Sequence, residues 1–163
     1  MKNIHVSSTV RFEDIEELNQ YSTDSTWSDW GAQRVVTDDD VRDFAKLTNN
    51  HQWIHEDAKR STRESPYGGM IVHGLLLITL IPGLMPGEGF VVSGNTVRIV
   101  RGFDRLRLPS PVFVGDTVHA RVRNLRASAA ASGKGTVIAR EVEVWSLAGT
   151  KPAVSCMLKM QYF

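Results

Sequence analysis

The segment from residue 48 to residue 56 carries side chains that can exchange protons. It reads TNNHQWIHE and is polar, yet it contains a tryptophan and an isoleucine, which are unusual in a solvated loop. Its two histidines are His51 and His55, and a histidine side chain has a reference pKa of about 6.5. From these residues alone two interpretations stay open, a polar loop without a task or a site of general acid–base chemistry.

Gly74 is a second feature with chemical potential, because it stands directly before the nearly all-apolar run LLLITLIPGLM. The first N–H groups of a helix have no partner inside the helix, and they carry the positive end of its dipole. An oxygen atom that gains negative charge is stabilised at such a place, and glycine permits close approach of the backbone. The alternative is that Gly74 only lets the chain turn into the helix.

Charge is distributed unevenly along the 163 residues, although the net charge is only +1. Residues 1–90 hold 8 Lys and Arg against 14 Asp and Glu, whereas residues 91–163 hold 11 against 4. Such asymmetry suggests an anionic partner. A pI of about 7.9 and the absence of a nucleic-acid motif argue against nucleic acid. The arginines that could meet phosphates are Arg98, Arg101, Arg105, Arg107, Arg121 and Arg123.

Compartment and cofactors are constrained by what the sequence lacks. Cys156 is the single cysteine, so no intrachain disulfide forms and a structural thiol is expected. The most apolar stretch, residues 71–85, is interrupted by His73 and Pro82 and is shorter than the roughly 20 residues of a membrane span. With no signal peptide at the N-terminus, we expect a soluble, cytoplasmic protein that does not bind membranes and uses no metal.

The elements that must position these residues fall into two blocks. Residues 1–31 are acidic and are predicted to be an irregular N-terminal extension, in which Phe12, Ile15 and Leu18 have the spacing of one face of a short helix. Helices are predicted over 38–47, after a capping box begun by Thr37, over 57–64, capped by Asp57, and over 74–84, the last buried on all sides. Strand patterns of period two occupy residues 33–36, 90–92, 96–100, 106–108, 117–123, 137–145 and 153–162. A few helices followed by consecutive strands indicate an α+β fold, with a curved antiparallel sheet wrapped around the apolar helix.

Three segments in this order carry a family resemblance: FAKLTNNHQWIHED at 44–57, YGGMIVHGLL at 67–76 and PSPVFVGDT at 109–117. Over roughly residues 27–160 the chain resembles the MaoC-like dehydratases, the family that includes R-specific enoyl-CoA hydratases. The sequence QWIH within the first motif is most similar to the nodulation protein N branch. The resemblance implies a single hot-dog domain over 32–163, usually in a homodimer.

The chemistry that the resemblance implies is reversible addition of water to the 2,3 double bond of a trans-2-enoyl thioester. The product is an (R)-3-hydroxyacyl thioester, so the enzyme would be a lyase of fatty acid metabolism. Coenzyme A or an acyl carrier protein would be part of the substrate, and no separate cofactor is expected.

The catalytic residues implied by the resemblance are an Asp and, five residues later, a His. Here the His is His55, but the Asp position holds Asn50. An amide cannot act as a base near neutral pH, although it can orient a water molecule, so weakened activity is expected. His51, Glu56 and Asp57 remain alternatives for the missing base, with Asp57 also matching the family's helix-capping residue.

The second motif assigns the oxyanion-hole role to Gly74, the glycine of the family's His-Gly pair. The related enzymes often have a serine eight residues after this glycine, where the present chain has Pro82. His73 is expected to shape the site rather than act as a base. The acyl pocket is predicted to be lined by His73, Trp53, Met70 and Leu75.

Three functions therefore remain open at the level of sequence. The first is an (R)-specific enoyl-CoA hydratase-like enzyme. The second is a non-catalytic hot-dog protein that binds acyl thioesters, which the replacement of the family Asp by Asn50 and of the serine by Pro82 would explain. A hot-dog thioesterase is the weakest alternative, because the His-Gly and QWIH patterns belong to the hydratase branch.

Overall fold

A computed structural model describes residues 8–22, 26–87 and 90–163. Its elements confirm the α+β class. In chain order they are β1 (Ser8–Arg11), α1 (Ile15–Gln20), β2 (Arg34–Val35), α2 (Asp38–Thr48), α3 (Trp53–Glu56), α4 (Ala58–Glu64), α5 (Gly74–Leu84), β3 (Phe90–Ser93), β4 (Arg98–Arg107), β5 (Thr117–Ala129), β6 (Thr136–Ser146) and β7 (Val154–Tyr162).

Five strands form the main sheet, in the order β2-β5-β6-β7-β4, and all four neighbouring pairs are antiparallel. Alternate residues along β6 are buried, so one face of the sheet covers the core and the other faces outward. Helix α5 packs against β5, β6 and β7 on the inner face. This is the hot-dog arrangement that the motifs predicted.

The prediction that α5 is buried on all sides is wrong. Leu77, Ile81 and Leu84 are buried against the sheet, but Leu75 is 61% exposed, and Thr79 is exposed one turn later. The sheet covers only one side of the helix, so an apolar sequence predicts burial without telling which partner supplies it. No helix within the described residues is long and apolar enough to cross a membrane.

Two of the predicted helix starts are confirmed by their caps. At α2, Thr37 and Asp40 form the reciprocal capping box. At α4, the Asp57 carboxylate accepts a hydrogen bond from the Arg60 backbone N–H at 2.9 Å. The short helix α3 between them was not predicted.

The expectation of an irregular segment over residues 1–31 is wrong for β1, whereas the short helix predicted from the spacing of Ile15 and Leu18 is confirmed as α1. Strand β1 pairs in parallel with β3, and α1 follows, capped by Asp14. Val10 and Leu18 are buried in the core, so this segment packs onto the fold. Residues 1–7 and 23–25 lie outside the described part of the chain, and the boundary between extension and domain at residue 31 stays a prediction.

The two strand patterns at 96–100 and 106–108 belong to one edge strand, β4, rather than two. The register of β4 against β7 shifts between Val100 and Gly102 and again between Asp104 and Arg107, where Arg105 has a positive φ of 50°. Because β4 lies at the sheet edge, Ile99 and Val100 are both exposed, and the predicted alternation of burial is absent. On β7, burial raises the pKa of the Cys156 thiol to about 11, so it stays protonated.

Candidate active site

The chain reverses direction after α2 and thereby brings the motif residues together. Asn49 takes the left-handed conformation, with a φ of 53°, at the C-terminal end of α2. The Asn50 backbone N–H then donates to the Ala45 carbonyl at 3.1 Å. Helix α3 follows, and Ser61 of α4 holds it by donating from its hydroxyl to the Trp53 carbonyl at 3.3 Å. This local structure fixes His55, in α3, five residues after Asn50.

His55 is nearly buried and is oriented by the backbone. Its Nδ1 lies 2.8 Å from the Ile71 carbonyl oxygen. A carbonyl can only accept, so Nδ1 carries the proton and the lone pair of the neutral ring lies on Nε2. The Ile71 N–H in turn donates to the Ile54 carbonyl at 3.2 Å, which clamps the two segments together. Nε2 makes no hydrogen bond to the described residues.

His73 stacks on His55, with 3.8 Å between ring centroids and 27° between ring planes. Its Nε2 donates to the Asn50 carbonyl oxygen at 3.1 Å, and Phe44 lies on it at 5.2 Å between centroids. Burial lowers the pKa of His73, against the Asn50 carbonyl, which raises it, so the ring is neutral near pH 7. Its Nδ1 is buried and has no hydrogen-bond partner among the described residues.

Gly74 begins α5 directly after His73 and is in close contact with Leu108. A Cβ atom placed on Gly74 would lie 2.6 Å from Leu108 Cδ1, far inside van der Waals contact. A larger residue at this position would require the end of the half-exposed Leu108 side chain to move, and glycine leaves room for a ligand to approach the first N–H groups of the helix. His73, the residue before the helix, forms no side-chain cap that would occupy those groups.

His55 and Gly74 both line a cleft of about 220 Å³ at the N-terminal end of α5. The residues at its rim are exposed, among them Tyr67 and Leu108, whereas those at its inner end are buried. The other lining residues are Ile71, Val72, Leu77, Pro109, Ser110, Pro111, Val112 and Ala153. The cleft therefore joins an accessible imidazole nitrogen to the start of a helix.

The structure brings together four of the predicted site residues, namely Asn50, His55, His73 and Gly74. Of these, His55 and Gly74 line the cleft, whereas His73 stacks on His55 and Asn50 contacts His73; the other three predicted residues do not line the cleft. Trp53 lies under the Arg60 guanidinium, 4.4 Å from its ring centroid. The backbone carbonyl of Met70 accepts from the Val114 N–H at 3.1 Å. Leu75 lies on the exposed side of α5.

For Trp53, Met70 and Leu75 the substrate-binding role thus stays a prediction, as do the roles of the four clustered residues. The alternative bases are engaged elsewhere. Asp57 caps α4, and Glu56 accepts from His51 Nδ1 at 3.1 Å. Pro82 lies on the exposed side of α5.

Sequence reasoning missed Tyr67, Leu108 and Ala153 as lining residues. Tyr67 is the first residue of the second motif, and Leu108 directly precedes the third, at Pro109. Ala153 carries no signal of its own, because a small apolar residue at the start of a strand is common.

The arginines divide into two sets. Arg121 and Arg123 pair with Glu143 and Glu141, each at 2.6 Å. Within the described residues the arginines of β4 form no ion pair; these are Arg98, Arg101, Arg105 and Arg107. Only the second set has charge left for an anionic ligand.

Comparison with known proteins identifies a family and relatives that carry the same domain. The chain matches the family described as "MaoC like domain" over residues 28–145. It is 38% identical over 93 residues to 3-hydroxyacyl-thioester dehydratase Z of Mycobacterium tuberculosis, covering 57% of the chain and 58% of the relative. It is 40% identical over 94 residues to nodulation protein N of Rhizobium meliloti, covering 56% and 58%. The chain thus aligns with less than two thirds of the length of these relatives.

A solved structure supports the fold. It is an (R)-hydratase from A. caviae involved in PHA biosynthesis, with a TM-score of 0.64 and 23% identity, covering 84% of the chain and 94% of that protein. The match over residues 28–145 includes all three motifs and every residue of the histidine cluster. The chain therefore belongs to the MaoC-like dehydratase family.

Proposed function

We propose that this protein is an enoyl-thioester hydratase that interconverts trans-2-enoyl-CoA and (R)-3-hydroxyacyl-CoA. The observation that carries the proposal is the orientation of His55, whose Nδ1 is fixed on the Ile71 carbonyl so that Nε2 is left as a base. The same cleft includes Gly74, at the start of α5. Membership of the MaoC-like family supports a hydro-lyase reaction at this cleft.

The reaction can be written with His55 as the group that moves the proton. Nε2 takes a proton from water while the water oxygen bonds to C3 of the enoyl group, and electrons shift onto the thioester oxygen. The backbone N–H groups at Gly74 stabilise that oxygen. The protonated Nε2 then gives the proton to C2, so one water is added across the double bond and His55 returns to its neutral form.

Asn50 affects the rate of this reaction, whereas His55 carries out the proton transfer. Its carbonyl holds His73, which in turn stacks on His55. Its side-chain amide can orient the attacking water but cannot accept a proton near neutral pH. A positioned base contributes about 10²–10⁴-fold to the rate, so we propose that Asn50 leaves a slow enzyme.

The test is loss of the conjugated enoyl absorbance when the purified protein is mixed with crotonyl-CoA and with longer enoyl-CoA esters. We expect slow turnover that His55→Ala abolishes and that Asn50→Asp increases by about 10-fold or more. His119→Gln is the control, because His119 stacks on Trp30 outside the cleft. Wild-type rates equal to background at every chain length would contradict the proposal.

A second candidate function is non-catalytic binding of acyl thioesters. The observation that favours it is that no carboxylate among the described residues bonds to His55 or His73. Titration calorimetry with butyryl-CoA distinguishes it from the first proposal, because it predicts binding without turnover in the absorbance assay. No heat of binding would contradict this function.

We also propose that the protein acts as a homodimer. The edge strand β4 has unpaired backbone groups and exposed apolar side chains, among them Ile99 and Val100, and Val97 directly before the strand is exposed as well. An exposed edge of this kind is a template for pairing with a second chain. Sedimentation analysis is expected to give twice the chain mass of 18.2 kDa, and Val100→Lys is expected to shift the protein toward monomer. A wild-type monomer at micromolar concentration would contradict dimerisation.

A further inference from the structure

We infer that Glu56 is the counter-charge of the two stacked rings, His55 and His73, and that His51 holds it in place. Its carboxylate stabilises the positive charge that forms when His55 accepts a proton from water. The inference rests on the proposed function, since it takes His55 as the group that moves the proton. Glu56 is thereby a positioning residue, which acts through the two rings and does not touch the substrate.

The two stacked rings have backbone partners that orient them but carry no net charge. His55 Nδ1 lies 2.8 Å from the Ile71 carbonyl oxygen, and His73 Nε2 lies 3.1 Å from that of Asn50. The side chains are only 9% and 2% exposed. A cation in such surroundings is costly unless an opposite charge is near. Protonation of His55 therefore requires a carboxylate close to the pair.

Glu56 is linked to the two rings through a closed circuit of five residues. It directly follows His55 in α3, just as His51 directly follows Asn50. His51 Nδ1 lies 3.1 and 3.3 Å from the two carboxylate oxygens of Glu56. His73 closes the circuit, because its ring stacks on His55 and donates to the Asn50 carbonyl. These links keep the Glu56 carboxylate close to both rings.

The charge of Glu56 acts on His73. Burial lowers the pKa of His73, whereas the Asn50 carbonyl and then the Glu56 carboxylate raise it. The neighbouring His55 and His51 both lower the pKa of His73 when they are charged. The Glu56 side chain is 24% exposed, so water and salt screen its charge less than that of a surface carboxylate. Glu56 therefore opposes the effect of burial and favours a proton on the pair.

The other charged groups around Glu56 are engaged elsewhere. Arg42 pairs with Asp38 at 2.6 Å. The hydrogen bond to Asp38 raises the pKa of Arg42 the most, and the charge of Glu56 raises it further. Asp57, the residue after Glu56, caps α4 by accepting from the Arg60 N–H. The Glu56 charge is therefore not neutralised by a Lys or Arg partner within the described part of the chain.

The test measures kcat and KM for crotonyl-CoA in variants of this circuit. Glu56→Gln removes the charge and keeps the shape, and we expect kcat to fall by about 10-fold with KM unchanged. Glu56→Asp keeps the charge and is expected to retain most of the turnover. His51→Ala leaves Glu56 charged but removes the side chain that holds it, so a smaller loss of about 3-fold is expected. A larger loss in His51→Ala than in Glu56→Gln would overturn the inference.

The Asn50→Asp background separates a counter-charge from a general effect on the site. A second carboxylate then stands five residues before His55, and Glu56→Gln is expected to cost only about 2-fold. Glu141→Gln is the matched control, because Glu141 is 29% exposed, similar to Glu56, and pairs with Arg123 on the outer face of β6. Equal losses in both backgrounds would overturn the inference, and so would wild-type turnover in Glu56→Gln or equal losses in Glu56→Gln and Glu141→Gln.

Titration of the histidine rings by NMR tests the inference without turnover. In Glu56→Gln the His73 ring is expected to take up its proton at a lower pH than in wild type, because a nearby negative charge is gone. Glu141→Gln is expected to leave this midpoint unchanged. An unchanged midpoint in Glu56→Gln overturns the inference. If no enoyl-CoA is turned over and the midpoint still shifts, the proposed function fails while Glu56 remains the counter-charge of the pair.

Discussion

Two clusters of aromatic and polar side chains lie on opposite faces of this protein. The histidine pair, His55 and His73, lies beside α5 with 3.8 Å between ring centroids. The outer cluster lies across β5 and β6, where Trp30 and His119 stack at the same centroid distance of 3.8 Å. The two stacks have the same centroid distance, yet only the histidine pair contains a buried side-chain nitrogen without a hydrogen-bond partner among the described residues.

In the outer cluster the polar groups bond to one another. Arg121 donates twice to the same Glu143 oxygen, from Nε at 2.9 Å and Nη2 at 2.6 Å, and Trp145 Nε1 also donates to it, at 3.0 Å. The Arg121 guanidinium also lies 4.5 Å from the Trp27 ring centroid. Such a network fastens the segment around Trp27 and Trp30 to the sheet and has a structural role.

In the histidine pair the partners are backbone carbonyls, one for each ring. Each carbonyl uses one nitrogen, so His55 Nε2 and His73 Nδ1 are left without a bond to the described residues. Buried polar atoms are normally satisfied. The buried Nδ1 of His73 therefore distinguishes the histidine pair from the outer cluster, in which no buried side-chain nitrogen or oxygen of the described residues lacks a partner.

Among the substitutions that test this difference between the clusters, Gly74→Ala is expected to lower turnover the most. Gly74→Ala places a methyl group against Leu108, in the cleft, and we expect turnover of crotonyl-CoA to fall by about 10²-fold. The double variant Gly74→Ala, Leu108→Ala removes the clash. We expect its turnover to stay about 10²-fold below that of Leu108→Ala alone, because the methyl group still blocks approach to the helix N–H groups. Recovery to the Leu108→Ala rate would mean that Gly74 serves packing only.

For the outer cluster we expect a substitution to lower stability and leave turnover unchanged. Arg121→Ala leaves the Glu143 carboxylate partly buried without its main partner, so we expect the free energy of unfolding to fall by about 1–3 kcal/mol. The kcat/KM for crotonyl-CoA should not change. Urea denaturation and the absorbance assay measure the two quantities. A loss of turnover in a folded Arg121→Ala protein would show that the outer cluster also contributes to the site.

The local elements of the fold could be predicted from the sequence, whereas their contacts could not. Capping residues and apolar spacing mark α2, α4 and α5, because those signals act within a few residues of chain. The stacking of His73 on His55 and the contact of Leu108 with Gly74 join residues that are far apart in sequence. Such contacts depend on how helices and strands pack, and no local spacing encodes that.

The candidate site was predicted in part for the same reason. The order of the three motifs identifies the family and therefore His55 and Gly74. The lining at Ala153 depends on β7 beginning beside α5, which follows only from the sheet order β2-β5-β6-β7-β4. The exposed side of α5 was missed because hydropathy measures how apolar a helix is, and not how many sides its neighbours cover.

The pH dependence of stability sharpens the comparison, because each cluster contains a histidine whose pKa is lowered mainly by burial. These are His73, whose pKa is also lowered by the neighbouring His55, and His119, whose pKa is also lowered by the charge of Arg121. In the unfolded chain both titrate near 6.5. The unfolded state then binds more protons below that pH, so the free energy of unfolding falls as the pH drops through 6.5.

We expect His73→Gln and His119→Gln each to flatten this acid-side slope, which is at most about 1.4 kcal/mol per pH unit for one proton. His73 should have the larger effect, because it is 2% exposed whereas His119 is only half-buried. Urea denaturation at pH 5, 6, 7 and 8 gives the slopes. Equal slopes in wild type and both variants would contradict the lowered pKa of these two rings.

The smallest effect is expected at Asp57, a carboxylate two residues from His55. Its side chain accepts from the Arg60 N–H as the cap of α4, and asparagine caps helices about as well as aspartate. Asp57→Asn should therefore leave both turnover and stability within error, whereas Asp57→Ala should cost about 1 kcal/mol of unfolding free energy. If Asp57→Asn instead abolished turnover in a stably folded protein, Asp57 would be the base that replaces the carboxylate absent at Asn50. The same carboxylate would then act both as the cap of α4 and as a catalytic base. A satisfied hydrogen bond would therefore not identify a side chain of this protein as purely structural.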